Sequence, residues 1–424
     1  MRLSAGVAWL GFVAAGLGAA AAEPWRPFSA DSPWNQPIPA GAAADPDSAA
    51  MIDDFAGRGP LHINIRDWSI AVYFVDADHT PRVDVADLRP GIYGKGFEFP
   101  RRIPIPADAV ASPPGGEDSD NHLCIVDRKQ HREWGMWAAR RDAQGRWGTG
   151  LGAVTDLAGT GVAAPWFAEA RQLDAHRGRA SGFPLIAGLM LVDEFRAGRI
   201  RHALVFAYDH CRTGCFVPPA STAQVTVPGT SNARGIPMGG RLQLDPAWDV
   251  EHSALSPAGK IIARALQEYG AYCGDYAGAN VLYAENAPEA VRAWAGLLRS
   301  EELEAVFTPE MIRKHFRVLD LGTVLPGQNC EVTPPYLLSF DLGAPGGPAR
   351  IDFLQRRVRV TAPAAWPRAD RAPRFTVYAP GTRVLVDGVE QASGRDRHDF
   401  TRPVVYRLVA PDGAAADWTV TVAP

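Results

Sequence analysis

The chain has 424 residues, with 43 Lys or Arg and 47 Asp or Glu, so its formal net charge at pH 7 is -4. The basic residues are spread along the chain, which argues against nucleic acid and anionic membrane surfaces as partners. The length is sufficient for two or three domains with well-buried cores.

Residues 1–22 have the parts of a secretory signal peptide. Arg2 supplies a basic start, residues 7–17 are apolar, and small residues lead to an expected cleavage after Ala22. No later stretch reaches about 18 uninterrupted apolar residues, so we expect no integral membrane association. We therefore expect a secreted protein, periplasmic or extracellular, once the signal peptide is removed.

The beginning of the mature chain predicts an extended strap followed by a helix and strands. Each Pro in EPWRPFSADSPWNQPIPAG, at 23–41, biases its neighbour away from helix. A helix start signal follows at Asp45 or Asp47. Residues 63–78 and 81–88 then alternate or run apolar over lengths typical of strands.

The most informative stretch is SDNHLCIVDRKQHREWGMW, at 119–137. Two β-rich runs flank the polar link RKQH, which predicts a hairpin. If Asp127 lies opposite Arg132, the alternation of side chains puts Asp120, His122 and Trp137 at one end of one face.

Those three side chains are typical of a carbohydrate site. An indole stacks on a sugar ring, while a carboxylate and an imidazole transfer protons. We assign Asp120 as acid or base, His122 as its partner and Trp137 as the stacking platform that binds substrate. The structural alternative is a turn cap at Asp120, a hydrogen-bonded strand end at His122 and a core residue at Trp137.

The middle of the chain adds one further histidine candidate. Residues 146–164 are Gly-rich without phosphate-loop spacing, so we interpret them as a flexible or ligand-facing loop. A short helix over 192–197 precedes a predicted strand over 200–208. His202 on that strand is assigned as a supporting proton relay, although a lone His is more often structural, and its role requires the strand start to abut the hairpin.

Two further pairs of neighbouring polar residues are candidates for the site. Asp209, a candidate second carboxylate, and His210, a candidate pocket-rim residue, lead into the turn CRTGC at 211–215. Asp275, assigned to substrate binding and the other candidate second carboxylate, and Tyr276, a candidate proton donor, follow a helix. Short polar residues in such places are ordinarily caps and turns, which is the structural alternative.

That helix has the clearest pattern in the chain. SPAGKIIARALQEYG, at 256–270, has Ser256 as N-cap, Pro257 in the first turn, an apolar stripe and Gly270 at its end. A second helix is predicted over 288–298.

The five cysteines of an exported chain suggest disulfides with one thiol left over. We predict a pair between Cys211 and Cys215 across their short turn, and a second between Cys273 and Cys330. Cys124, in mid-strand, is then a buried free thiol, or a nucleophile if a neighbour stabilises its thiolate.

The last 91 residues, 334–424, consist of short strands separated by Pro and Gly turns. Hairpin-turn residues occur at 387–389 and 411–413. With its ending YRLVAPDGAAADWTVTV, this tail resembles the small immunoglobulin-like domains appended to secreted bacterial enzymes.

The body also has a resemblance, carried by the motifs SPWNQPIP, SDNHLCIVD, RIRHALVFA, GGRLQLDP and ALQEYGAYCGDYAG. They are similar to a family of exported bacterial proteins of unassigned activity, which implies secretion and contact with extracellular polymer. We predict a mainly β protein: a β-sandwich or barrel-like body with peripheral helices over 23–333, and an immunoglobulin-like β-sandwich over 334–424.

The predicted function is cleavage of glycosidic bonds in an extracellular or cell-wall polysaccharide. A polysaccharide lyase is the first alternative, with His122 as base, Tyr276 or Tyr208 as acid and an Arg facing a uronate. A non-catalytic glycan-binding or wall-binding protein is the other. No HExxH, CxxC pair or EF-hand loop is present, so we predict neither a metal nor another cofactor.

Overall fold

The computed structural model describes residues 24–88, 102–112, 119–165, 178–223, 232, 234–327, 335–347, 349–352, 355–378 and 381–424. The predicted signal peptide and the domain boundary predicted at 333/334 lie outside these ranges. The fold is mainly β, with 33% strand and 11% helix, which confirms the predicted class. No helix in the described ranges is long and apolar enough to cross a membrane.

The helices in these ranges are α1 (Ser48–Ala56), α2 (Val192–Arg196), α3 (Pro257–Glu268), α4 (Pro288–Trp294) and α5 (Pro309–His315). The strands are β1 (His62–Asn64), β2 (Ala71–Phe74), β3 (Arg82–Asp87), β4 (Arg102–Pro104), β5 (Leu123–Asp127), β6 (Arg132–Trp137), β7 (Arg140–Arg141), β8 (Trp147–Thr149), β9 (Leu151–Asp156), β10 (Leu204–Ala207), β11 (Arg212–Phe216), β12 (Pro237–Met238), β13 (Arg241–Leu244), β14 (Ala271–Asp275), β15 (Val281–Tyr283), β16 (Phe316–Val318), β17 (Leu325–Pro326), β18 (Leu337–Asp341), β19 (Arg350–Asp352), β20 (Arg357–Thr361), β21 (Arg374–Val377), β22 (Arg383–Val386), β23 (Val389–Glu390), β24 (Val404–Val409) and β25 (Ala415–Ala423).

Helix α3 begins as its sequence predicts. The Ser256 hydroxyl accepts the Gly259 N–H at 3.1 Å, and Pro257 opens the first turn. The chain leaves the helix through Gly270, whose φ of +68° is unfavourable for a side chain; an added Cβ would also lie 2.4 Å from the Leu242 carbonyl oxygen. Helix α4 confirms the second predicted helix but is shorter than the predicted range 288–298.

The body is built on a six-stranded sheet, ordered β1-β15-β10-β14-β13-β16, and a four-stranded sheet, ordered β2-β5-β6-β9. Two smaller sheets complete it, ordered β4-β3-β8-β7 and β12-β11-β17. Strand β5 separates two apolar cores, because Cys124 and Val126 belong to one and Leu123 and Ile125 to the other. The predicted hairpin is therefore buried on both faces.

The predicted register of the hairpin is confirmed. Asp127 pairs with Arg132 and Cys124 with Gly135. The Asp127 carboxylate closes the turn by accepting the backbone N–H groups of Lys129 and Gln130, each at 2.8 Å. The alternation of side chains along the two strands therefore predicted their register, and the Asp127 carboxylate stabilises the turn between them.

Two segment predictions were wrong. Residues 146–164 contain β8 and β9, so the Gly-rich stretch is not simply a flexible loop. The strand predicted over 200–208 is restricted to β10, because Ala203 donates its N–H to the Trp34 carbonyl at 2.8 Å instead of joining the sheet. Trp34 lies in the predicted strap and is buried, and its ring packs edge-on against Phe183 with 4.7 Å between the ring centroids.

Residues 336–422 contain a separate apolar core in which Tyr406 and Trp418 are fully buried. Its strands form a six-stranded sheet, ordered β19-β20-β25-β24-β22-β23, and the pair β18-β21. Arg350 connects this region to the body through ion pairs with Asp45 and, at 3.5 Å, with Asp320.

Candidate functional site

The end of the hairpin brings two of the three predicted residues into contact. The Trp137 indole N–H donates to the Asp120 carboxylate at 3.3 Å, and both side chains are partly exposed. This contact orients the indole beside an acid at the end of strand β6.

His122 departs from the prediction. It is only 4% exposed, and its Nε2 lies 3.3 Å from the Gly178 carbonyl oxygen. Burial lowers the pKa of His122 to about 4, with Asp120 opposing the shift and Arg179 adding to it. The imidazole is therefore neutral at pH 7 and buried, so it is not a solvent-facing base.

The residue next to Gly178 is a buried cation that sequence reasoning missed. The Arg179 side chain is 0% exposed, its Nη1 lies 3.7 Å from the Asp275 carboxylate, and its guanidinium lies 4.6 Å from the Tyr283 ring centroid. A buried guanidinium needs a counter-charge, and Asp275 supplies one.

Asp275 lies at the end of β14, with its side chain 17% exposed. It accepts the N–H of Tyr276 at 3.1 Å and of Ala180 at 3.4 Å. Burial raises the pKa of Asp275 to about 6; Arg179 opposes this shift and the charge of Asp120 adds to it. Of the two candidates for a second carboxylate, Asp275 is thus the one that lies within electrostatic reach of Asp120.

We call Asp120, Trp137, Arg179, Asp275 and Tyr283 the carboxylate cluster. Burial raises the pKa of Tyr283, so its hydroxyl keeps its proton. The cluster combines an acid that is partly protonated near neutral pH, a second carboxylate, a fixed cation and an indole. These are the components of acid-base chemistry on a sugar.

The other polar candidates lie in a second group that we call the His210 cluster: Asp54, Arg58, Asp209, His210 and Tyr276. The His210 imidazole is 47% exposed, and its Nδ1 lies 2.7 Å from the Asp54 carboxylate. Arg58 donates from Nε to Asp209 at 2.7 Å, and Tyr276 is 51% exposed. A carboxylate thus orients a solvent-facing imidazole.

Sequence reasoning missed Asp54 of this group and Asn232, which contacts two of its members. The Asn232 amide donates to the Asp54 carboxylate at 3.2 Å and to the His210 carbonyl oxygen at 2.5 Å. The two residues lie on either side of His210 and far from it in the chain, so no local spacing indicates them.

His202 has a structural role. It is buried, its Nε2 lies 2.9 Å from the Glu194 carboxylate, and its Nδ1 lies 2.9 Å from the Ala203 carbonyl oxygen. Although burial opposes protonation, the Glu194 charge raises the pKa of His202. The predicted relay fails because both ring nitrogens are engaged away from the contacts of His122.

Tyr208 is also excluded as the acid of a lyase. It is fully buried, and its hydroxyl oxygen accepts the Ile236 N–H at 2.6 Å. Burial raises the pKa of Tyr208 well above its usual value, so the hydroxyl supports the fold and does not reach a substrate.

One more acid has a raised pKa outside both groups. Burial raises the pKa of Glu285 to about 7, and the side chain lines a cavity of about 820 Å³ with Asp193, Arg196 and Arg292. Its Oε1 accepts the Val192 N–H at 2.8 Å, at the start of α2. This contact gives Glu285 a helix-capping role and makes it a useful control for Asp275.

The predicted disulfide between Cys211 and Cys215 is not formed. Cys273 is likewise a thiol, and Cys330 lies outside the described residues. Cys124 is buried, and burial raises its pKa well above the usual range, which argues against a nucleophilic role. Across the described part of the chain, no three His, Cys, Asp or Glu side chains converge to hold a metal.

No family model matches the sequence, and no curated protein matches it. A protein from Bacteroides thetaiotaomicron described as a "putative glycoside hydrolase" is 26% identical over 22% of this chain and 26% of its own, with a TM-score of 0.18. A "putative secreted protein" from Bacteroides fragilis is 25% identical over 18% of this chain and 66% of its own, with a TM-score of 0.15. TM-scores this low establish no common fold, so neither likeness supports an assignment.

Proposed function

We propose that this protein is a secreted carbohydrate-active enzyme that cleaves glycosidic bonds of an extracellular or cell-wall polysaccharide. The observation that carries the proposal is the pair of carboxylates Asp120 and Asp275, one of which has its pKa raised to about 6. Glycoside hydrolysis needs one carboxyl group that holds a proton and one that does not, and different environments are how proteins separate them.

In this mechanism Asp275 donates its proton to the glycosidic oxygen as the bond to the anomeric carbon breaks. Asp120 acts on the opposite side, as the base that activates water or as the carboxylate that stabilises the positive sugar. Trp137 supports the ring by stacking. Arg179 is the counter-charge of Asp275, and His122 contacts Gly178, the residue that precedes Arg179.

The His210 cluster favours a second candidate, β-elimination in a uronate-containing chain. His210 would take the proton from the carbon beside the carboxyl group, Tyr276 would protonate the leaving oxygen, and Arg58 would face the uronate. The exposure of His210 and Tyr276 supports this reading. The salt bridge between Arg58 and Asp209 weighs against the lyase, because the Arg58 charge is already neutralised and would not attract a uronate.

The test is a panel of polysaccharides incubated with the wild type and four variants, one of which is His210→Asn. We expect the wild type to release reducing ends from at least one polymer. The rate of this release should fall about a hundredfold or more in Asp275→Asn and in Asp120→Asn. Glu285→Gln is the matched control, because it removes a carboxyl of raised pKa outside the cluster, and it should retain activity.

The other outcomes assign the alternatives. Loss of activity in His210→Asn, with an unsaturated product that absorbs ultraviolet light, would support the lyase. Binding to the panel without cleavage would leave a glycan-binding protein, in which Trp137 and its polar neighbours hold a sugar without turnover. Loss in Glu285→Gln alone would instead assign the acid to Glu285 and the cavity that it lines.

A further inference from the structure

We propose that a groove on the sheet β4-β3-β8-β7 binds the carboxylates of an acidic polysaccharide, which makes the substrate of the proposed enzyme a uronate-containing chain. The groove has a volume of about 1070 Å³, and no member of the carboxylate cluster or of the His210 cluster lines it. The inference about the substrate rests on the proposed function. Binding of an acidic chain to the groove does not.

The strand order brings four arginines to this groove. Strand β8 lies between β3, which contains Arg82, and β7, which consists of Arg140 and Arg141. Arg146 directly precedes β8. All four residues are exposed and line the groove. Guanidinium groups from separate segments of the chain therefore surround one concave surface.

The lining also contains two acids, and each of them is paired. Asp142 accepts a hydrogen bond from the Arg146 Nε at 2.8 Å, so these two charges offset each other. Asp84 lies 3.8 Å from the Nε of Arg102, which is not part of the lining. Because both acids have a partner, three arginines of the lining are in excess.

The excess arginines are Arg82, Arg140 and Arg141, none of which forms an ion pair with a residue that the structure describes. The Arg141 guanidinium lies 4.8 Å from the Trp147 ring centroid. Arg82 donates from Nη1 to the Arg102 carbonyl at 3.2 Å. Neutral partners of this kind orient a guanidinium and leave its charge in place, so the groove has a net positive charge.

A uronate-containing chain has the chemistry that such a groove recognises. A guanidinium donates two parallel hydrogen bonds to a carboxylate, and a polyuronate carries a carboxylate on successive rings. The apolar residues Val85, Ile105 and Trp147 line the same groove and suit the C–H faces of a sugar. A nucleic acid or an anionic membrane would need a broad basic surface, and the acids Asp84 and Asp142 interrupt this one.

The groove begins close to the indole of the carboxylate cluster. Arg140 follows Trp137 by three residues, so their Cα atoms are at most about 11 Å apart. Gly148 of the lining precedes Thr149, whose hydroxyl donates to the Trp137 carbonyl at 2.7 Å. The N–H of Gly150 donates to the same carbonyl at 2.9 Å. A polysaccharide with one ring on Trp137 therefore has the groove beside it for its neighbouring rings.

The experiment is isothermal titration calorimetry with three uronate polymers, namely polygalacturonate, alginate and hyaluronate. Each polymer is also used after its carboxyl groups have been reduced to alcohols. The protein carries Asp275→Asn, so that binding is measured without cleavage. We expect at least one polymer to bind, and its reduced form to bind about tenfold more weakly or less. This comparison needs no substitution in the groove.

The groove variants locate the binding. Arg140→Gln and Arg82→Gln should each weaken binding of the acidic polymer roughly tenfold, because each removes a charged donor. Arg132→Gln is the matched control, since it removes an exposed arginine at the opposite end of β6 from Trp137, and it should bind as before. Equal melting temperatures show that all three variants are folded.

Three results would overturn the proposal. They are equal binding of the acidic and reduced polymers, unchanged binding in both folded groove variants, and equally tight, Arg140-dependent binding of dextran sulfate or phosphatidylglycerol vesicles. Cleavage of a neutral polymer at the wild-type rate by Arg140→Gln, with Asp275 intact, would overturn it while leaving the proposed function. Arg140-dependent binding of a uronate polymer that the wild type does not cleave would support the groove and remove the enzyme.

Discussion

The substitution Asp275→Asn tests the physical basis of the proposed acid. The pKa of this carboxyl rises from 3.8 to about 6 on folding, mainly because it is buried. Between these two values the native protein holds more protons than the unfolded chain, so the contribution of Asp275 to stability decreases as the pH rises. The shift corresponds to about 3 kcal/mol of unfolding free energy across that range.

The wild-type profile alone does not reveal this effect, because His122 acts in the opposite direction. Its pKa falls from 6.5 to about 4 on folding, so over this range the unfolded chain binds more protons and stability increases with pH. The two contributions are of similar size. The informative quantity is therefore the difference between the variant and the wild type.

The assay is urea unfolding of both proteins at several pH values between 4 and 7. We expect the stability of Asp275→Asn relative to the wild type to improve by about 2 kcal/mol between pH 4 and 7, which is most of the full shift, because the variant has no carboxyl to ionise. The effect of Arg179 is not a separate contribution, because Arg179 opposes the rise and is already included in the pKa of about 6. A difference that stays constant from pH 4 to 7 would refute the assigned pKa and with it the proposed acid.

Three further predictions concern residues around the two groups. Trp137→Ala should weaken binding to the cleaved polysaccharide about fivefold to tenfold by isothermal titration calorimetry, whereas Trp68→Ala, which removes an indole that is 52% exposed, should not. His202→Ala should lower unfolding free energy by about 3–5 kcal/mol in urea, because Glu194 is left buried without its partner; equal stability would show that the pair is not formed. His210→Asn should retain hydrolysis at pH 6, and a loss of more than about tenfold in the initial rate would instead favour β-elimination.

Strand alternation and helix capping predicted those parts of the fold that depend on neighbours in the chain. The register from Asp127 to Arg132 follows from side-chain period and turn length, and Ser256 with Pro257 defines the start of α3. Contact between Asp120 and Trp137 follows from the same register. These features need only local rules, which is why a single sequence was sufficient.

The burial of individual side chains, and contacts between residues that are distant in the sequence, were not predictable in this way. Alternation shows that two side chains share a face, but not that both faces of β5 are covered, and so His122 was placed at the surface when it is buried. Arg179 and Asp54 have no motif; they gain their partners Asp275 and His210 only through the tertiary fold.

The most direct test of the central claim is cleavage of the active polysaccharide in water labelled with heavy oxygen, followed by mass spectrometry of the products. If Asp120 and Asp275 hydrolyse the glycosidic bond, the wild type will add one labelled oxygen atom for each bond cleaved, and Asp275→Asn will release product about a hundredfold more slowly or less. Unlabelled products that contain a new double bond, or labelled products from Asp275→Asn at the wild-type rate, would contradict the account.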